Sequence, residues 1–117
     1  MIDWERVAEL RSEVGEEAFA EVVELFLEEV QEVVDRLGAA ARSDVPPEPD
    51  ALAADLHSLK GSALNLGFAE LARLCADGEL RAAAGDAAGV ELPGLLSCYA
   101  DSRTAFVAAL GGQPVRP

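Results

Sequence analysis

The chain has 117 residues, half of them hydrophobic and only 5% aromatic, and carries a formal net charge of −13. This length suits one ordinary domain that buries a core without disulfide or metal support. The negative charge excludes unassisted binding to nucleic acid or to an anionic membrane surface, since both would repel the chain, so the expected partner is a protein or a small molecule. A composition rich in Ala, Leu and Glu favours packed helices over strands.

Membrane, export and metal signals are weak in this sequence. No apolar run approaches the roughly 18–20 residues that span a bilayer, and the opening MIDWERVAEL lacks the basic and apolar parts of a signal peptide, which predicts a cytoplasmic protein. Cys75 and Cys98 show no CxxC spacing and the chain has a single histidine, so we expect buried free thiols and neither a disulfide framework nor a zinc site. No cofactor is predicted.

Two helices are predicted in the first part of the chain. Residues 3–14 form a short one, with Asp3 as N-cap and Gly15 as terminator. The second is long and amphipathic, with apolar residues at three- and four-residue spacing from Phe19 to Leu37, and is expected to end at Gly38. Residues 39–50 contain three prolines and predict a loop.

Three further helices follow, each bounded by glycine or proline. The expected bounds are Pro49 to Leu66 with Gly67 as stop, Phe68 to Ala84 ending at Gly85, and Val90 to Leu110 with Pro93 in the first turn and Gly111-Gly112 after it. Four long helices with short connections predict an all-α, antiparallel four-helix bundle over residues 16–110. Residues 1–14 would form a lid helix over one end and residues 111–117 a frayed tail, all within one domain.

Residues 56–67, LHSLKGSALNLG, contain the only histidine and the only lysine of the chain. On a helix, the core-facing positions would be Leu52, Leu56, Leu59, Ala63 and Leu66. His57 therefore points outward. Gly61 lies one turn beyond it and Leu64 two turns beyond, while Lys60 lies on one flank of this face.

An outward imidazole in these surroundings has a chemical use. A neutral imidazole is a good nucleophile at cellular pH and can accept a phosphoryl group on a ring nitrogen. The added negative charge would be stabilised by the nearby Lys60. Gly61 removes side-chain bulk where a partner must approach, although a mid-helix glycine costs about 1 kcal/mol relative to alanine.

The string HSLKGSALNLG followed by FAELARLC resembles the signature of histidine-containing phosphotransfer (HPt) domains, approximately H-x-L-K-G-S/A-x-x-x-x-G followed by L-x-x-L-C. This resemblance implies a four-helix bundle that relays a phosphoryl group between receiver-domain aspartates of a hybrid sensor kinase and a response regulator. His57 would be the phosphoacceptor, Lys60 the neutralising cation and Gly61 the steric clearance. The protein would be a phosphoryl carrier and not an enzyme, because the receiver supplies the magnesium ion and the acidic pocket.

Four further positions are candidates for partner binding. Leu64 and Ala53 could form an apolar docking patch beside His57, and Ser62 and Asn65 lie on the other flank, with either a structural or a binding role. Trp4 is expected to anchor the core or the lid helix.

One position departs from the family pattern. After Leu74-Cys75 the family usually has a Leu-Glu pair, whereas this chain has Gly78 in place of the leucine. The fourth helix is therefore expected to be thinner or locally bent there.

Other functions remain open on the sequence. The phosphoacceptor helix pair of a sensor kinase would show an acidic residue directly after the histidine, but Ser58 follows His57. A helical adaptor could keep the fold and bind receivers without accepting phosphate, although the presence of both His57 and Lys60 argues against it. An enzyme with its own machinery is least favoured, since no Gly-rich phosphate loop or nucleophile–base pair is evident. We expect a monomer.

Overall fold

The computed structural model describes residues 2–111, and these are all-helical, as predicted. The helices are α1 (Trp4–Val14), α2 (Glu16–Arg42), α3 (Pro49–Leu66), α4 (Ala69–Ala83) and α5 (Leu92–Gly111), with a short 3-10 helix at Ala87–Gly89 between the last two. Extended pairing within the described residues is limited to one isolated antiparallel bridge between Ile2 and Phe68. Over the same residues, no helix is long and apolar enough to cross a bilayer.

The core lies where the helices meet in pairs. α3 packs against α4 and α2, and α5 packs against α2 and α4. The predicted core-facing positions of α3 are all at most 3% exposed, namely Leu52, Leu56, Leu59, Ala63 and Leu66. This apolar stripe fixes the rotation of α3 about its axis, and with it the direction of His57.

The start of α1 is tied to the end of α3. Asp3 caps α1 as predicted, its Oδ1 accepting a hydrogen bond from the backbone N–H of Arg6 at 3.2 Å. The Asp3 N–H donates to the carbonyl oxygen of Gly67 at 2.7 Å. Gly67 has φ +79°, a left-handed conformation that disfavours other residues, and a Cβ there would lie 2.6 Å from the Asp3 carbonyl oxygen. Glycine is therefore required both to end α3 and to admit α1.

Trp4 anchors the other side of α1. Its ring stacks on Phe106 of α5 with ring centroids 6.1 Å apart, and Phe106 in turn meets Phe68 edge-on at 5.2 Å. Phe68 and Phe106 are fully buried, whereas Trp4 is 44% exposed. The role of Trp4 in packing the first helix is confirmed.

The predicted end of α2 at Gly38 is wrong. The helix continues to Arg42, so the loop spans residues 43–48 and not 39–50. Gly38 does not adopt a positive φ, so it does not terminate the helix, and the alanines that follow are strong helix formers. The chain leaves the helix at Ser43, which has an extended backbone and is followed closely by the two prolines of the loop.

The start of α5 was also predicted too early. The 3-10 helix Ala87–Gly89 comes first, with Asp86 Oδ1 accepting from the Gly89 N–H at 3.0 Å. α5 then begins at Leu92, which places Pro93 in its first turn as predicted. Gly111, expected to begin the tail, is the last residue of α5, and residues 112–117 of the predicted tail lie outside the described residues.

Gly78 is buried within α4, which runs through it without interruption. A Cβ at this position would lie 3.0 Å from Cδ1 of Leu56 and 3.2 Å from Cγ1 of Val90. The space that a larger residue would fill is thus occupied by side chains from α3 and from the segment before α5. The departure from the family pattern allows close packing of α4.

Candidate functional site

His57 stands on the outer face of α3. Its side chain is 68% exposed, whereas the neighbouring Leu56 and Leu59 are fully buried. The outward direction predicted from helical spacing is therefore confirmed. Solvent, or another protein, has direct access to the imidazole.

Glu79 of α4 joins His57 to Lys60. Its Oε2 lies 2.9 Å from Nδ1 of His57, and its Oε1 lies 2.9 Å from Nζ of Lys60. The side chains of Glu79 and Lys60 are each only about a quarter exposed, at 26% and 29%. The Lys60 ammonium, and secondarily His57, hold the pKa of Glu79 below its ordinary value. The carboxylate is thus ionised at neutral pH and serves as a hydrogen-bond acceptor.

Gly61 leaves an open surface beside the imidazole. No other side chain or neighbouring helix would come within 4 Å of a Cβ at this position, and the residue is exposed. Packing within the protein therefore gives no reason for glycine here. The backbone of α3 is accessible one turn beyond His57.

The remaining candidate positions differ in their surroundings. Leu64 is 55% exposed, two turns beyond His57. Ala53 is half-buried against the core, and Ser62 is half-buried too. Asn65 contacts α1, because its Oδ1 accepts a hydrogen bond from Nη2 of Arg6 at 3.2 Å. The structure thus places Leu64 on the exposed face with His57 and links Asn65 to the first helix.

Glu79 is the site residue that the sequence analysis did not single out. The Leu-Glu pair of the family pattern is a signal for it, since Glu79 directly follows Gly78, which takes the place of the leucine. The spacing of His57 and Lys60 says nothing about which residue of a second helix lies between them. Only the packing of α4 on α3 brings the carboxylate to both.

The two cysteines differ in burial, and the pKa of each thiol is raised. Cys75 is fully buried, and burial raises the pKa of its thiol to about 12. Cys98 is partly buried, which also raises its thiol pKa, and both cysteines are free. Over residues 2–111, no group of three or more His, Cys, Asp or Glu side chains is arranged to hold a metal ion.

Comparison with known families matches most of the chain to one family model. The model of the Hpt domain matches residues 21–105, a segment that contains His57, Lys60, Gly61 and Glu79. Neither the curated proteins nor the solved structures give a significant match to this chain. The family match covers more than half of the sequence and agrees with the all-helical fold. The chain therefore belongs to the Hpt domain family, whose activity is histidine phosphotransfer in phosphorelays.

Proposed function

We propose that this protein relays a phosphoryl group between the aspartates of two receiver domains, one of a hybrid sensor kinase and one of a response regulator, through phosphohistidine at His57. The observation that carries the proposal is the exposed imidazole of His57 with Lys60 beside it and open backbone at Gly61. In this proposal α2, α3, α4 and α5 form the antiparallel four-helix bundle of one Hpt domain, and α1 is its lid.

The reaction needs a nucleophile and little else from this chain. The neutral imidazole attacks the phosphorus of an aspartyl phosphate in line, the P–N bond forms and the P–O bond to the aspartate breaks. The reverse sequence delivers the group to a second receiver. His57 is held by a helix whose opposite face is fully buried, so it is presented without a large rearrangement.

Lys60 supplies positive charge to the phosphorylated state. A phosphoryl group adds negative charge to a protein that already carries −13, and Lys60 is the only lysine of the chain. Its ammonium lies 2.9 Å from Oε1 of Glu79, whose other oxygen contacts His57, so it is held close to the imidazole. Lys60 assists by charge, whereas His57 forms the bond.

The docking surface is proposed to consist of Gly61, Leu64 and Ala53 around His57, with Ser62 at its edge. Asn65 would contribute indirectly, because its contact with Arg6 holds α1 beside this surface. The surface is small, which suits the weak and transient interface that a relay requires. We propose that the protein acts as a monomer and that the acidic surroundings favour receivers with a basic rim.

The test is transfer from a panel of aspartyl-phosphorylated receiver domains to the wild type, to His57→Gln and to Lys60→Ala. We expect label on the wild type that is labile in acid and stable in base, the behaviour of a phosphohistidine. The His57→Gln variant should fold normally and take no label. The Lys60→Ala variant should take label more slowly than the wild type, because it keeps the nucleophile and loses the nearby charge.

Two results would contradict the proposal. Label on His57→Gln would place the acceptor elsewhere in the chain. Binding of receivers to the wild type with no label from any donor would favour the alternative of a helical adaptor that does not accept phosphate. Circular dichroism of each variant separates loss of transfer from loss of the fold.

A further inference from the structure

The chain between α2 and α3 presents a proline-rich segment to solvent. Residues 45–49 have the sequence Val-Pro-Pro-Glu-Pro. We propose that this segment is a binding site for a protein domain with a groove that is lined by aromatic side chains and rimmed by basic ones. Grooves lined by aromatic side chains bind segments in the polyproline II conformation. The segment lies outside the surface proposed for receivers, so the inference goes beyond the relay and does not depend on it.

The backbone of this segment is held extended by its own sequence. Pro46, Pro47 and Pro49 each fix φ at about −65°, and a residue that precedes a proline is pushed into extended conformations. Glu48 has φ −67° and ψ 127°, close to the polyproline II values of about −75° and about +145°. The chain bends at residues 44–45 and then has neither turn nor helix from residue 46 to residue 48. The segment therefore needs little ordering when it binds, which lowers the entropic cost of association.

The spacing of the prolines places apolar side chains on one side of the segment. Polyproline II has about three residues per turn, so residues three positions apart lie on the same edge. Pro46 and Pro49 share one edge, and Val45 and Glu48 share the next. Val45 is 71% exposed and Pro46 is exposed as well, whereas Pro47 is half-buried. Val45 and Pro46 are therefore the apolar side chains that a groove would cover.

The backbone of the segment offers hydrogen-bond acceptors to a partner. Among the described residues, Pro46 and Pro47 have no hydrogen-bond partner, so their carbonyl oxygens are open. The same two residues have no N–H, and the N–H of Val45 donates to Oγ of Ser43 at 3.1 Å. The segment thus carries no unpaired backbone donor from residue 45 to residue 47. The Trp N–H and Tyr O–H groups of an aromatic groove supply the matching donors.

Acidic residues surround the segment. Asp44 precedes it and Asp50 follows it, both exposed, and Glu48 lies within it. The Glu48 carboxylate accepts a hydrogen bond from the Ala51 N–H at 2.7 Å, which anchors the segment to the start of α3. Arg42 is the only basic residue close to the segment along the chain. A groove with a basic rim complements these charges, whereas a groove with an acidic rim would be repelled.

The experiment is an NMR titration of the full ¹⁵N-labelled chain with SH3, WW and EVH1 domains, which bind polyproline II segments. Each class of domain is used in two forms, one with a basic groove rim and one with an acidic groove rim. We expect saturable shift changes confined to residues 42–52 for the domains with a basic rim, and none for the domains with an acidic rim. Binding should weaken as salt is added, because the exposed charges are screened.

Pro46→Ala and Val45→Ser remove the two exposed apolar side chains of the segment. Each should weaken binding about tenfold, the effect of losing one well-buried contact in an interface. Both positions are exposed in a loop, so both variants should keep the fold, which circular dichroism checks. Val107→Ser is the matched control, because Val107 is also an exposed valine, at 46%, but lies on α5. It should bind like the wild type.

Three results would overturn the inference. The absence of shift changes at about 1 mM of every domain would show that the segment is only a rigid connection between two helices. Equal binding by Pro46→Ala and the wild type, or shift changes centred on α5 or on His57, would place the contact elsewhere. Tighter binding to acidic rims than to basic rims would refute the proposed chemistry of the partner. Binding is measured without phosphate, so its failure leaves the proposed relay intact.

Discussion

Replacement of Gly61 by alanine should raise stability and lower function at the same time. Gly61 lies in the interior of α3, with helical backbone and no other side chain within 4 Å of a Cβ. Alanine is favoured over glycine in a helix interior by about 0.5–1 kcal/mol, and nothing in the structure opposes that gain. For a domain of this size the melting temperature should rise by roughly 2–4 °C. A partner docking on His57, however, would meet the added methyl group.

The assays are thermal unfolding and single-turnover transfer, both on Gly61→Ala and Gly61→Gln. We expect both variants to be at least as stable as the wild type, with transfer reduced in alanine and reduced further in glutamine. Gly38→Ala is the control, because it is also a helix-interior glycine, and its Cβ would meet only the flexible end of Arg42 at 3.3 Å. It should leave transfer unchanged. Transfer at the wild-type rate by Gly61→Gln would refute the clearance argument, and a destabilised Gly61→Ala would show an internal role for the glycine.

Three further predictions concern packing and charge. Gly67→Ala should lower the free energy of unfolding by about 2–3 kcal/mol in chemical denaturation. Alanine is strained at the left-handed φ of this position, and its Cβ would disturb the hydrogen bond between Gly67 and Asp3. A loss below about 1 kcal/mol would contradict this. Gly78→Leu, which restores the residue usual in the family, should also destabilise, by about 1–3 kcal/mol, because Leu56 fills the space; a more stable variant would show that the space can be refilled. Because the folded pKa of Glu79 is lowered, its contribution to stability is complete above its ordinary value and is lost as pH falls through the folded value. The stability difference between wild type and Glu79→Gln should therefore shrink on acidification, and a constant difference from pH 7 to about pH 3 would contradict the linkage.

Much of the fold could be predicted from the spacing of apolar residues and from caps. The stripe along α3 predicted both its buried face and the outward direction of His57, and Asp3 and Gly67 marked helix ends through local hydrogen bonding and backbone conformation. The predicted end of α2 at Gly38 was wrong, because a glycine ends a helix only where the chain needs a positive φ. That need depends on the residues that follow and on packing, which single positions do not reveal.

Part of the candidate site could also be predicted from the spacing of residues along one helix. His57, Lys60 and Gly61 lie on one helix, so their relative placement follows from helical geometry. Glu79 lies 22 residues after His57 on another helix, and its contact depends on how closely α4 approaches α3. Gly78, directly before Glu79, packs closely against Leu56 of α3, which a Cβ would meet at 3.0 Å.

The most direct test of the central claim is to observe the phosphorylated imidazole itself. The ¹⁵N-labelled protein would be incubated with an aspartyl-phosphorylated receiver and studied by ¹⁵N and ³¹P NMR, where the single histidine makes the assignment unambiguous. The account predicts a ¹⁵N–³¹P coupling at a ring nitrogen of His57, which disappears when a second, unphosphorylated receiver is added. An unchanged imidazole spectrum, with phosphate remaining on the first receiver or released to solution, would contradict it.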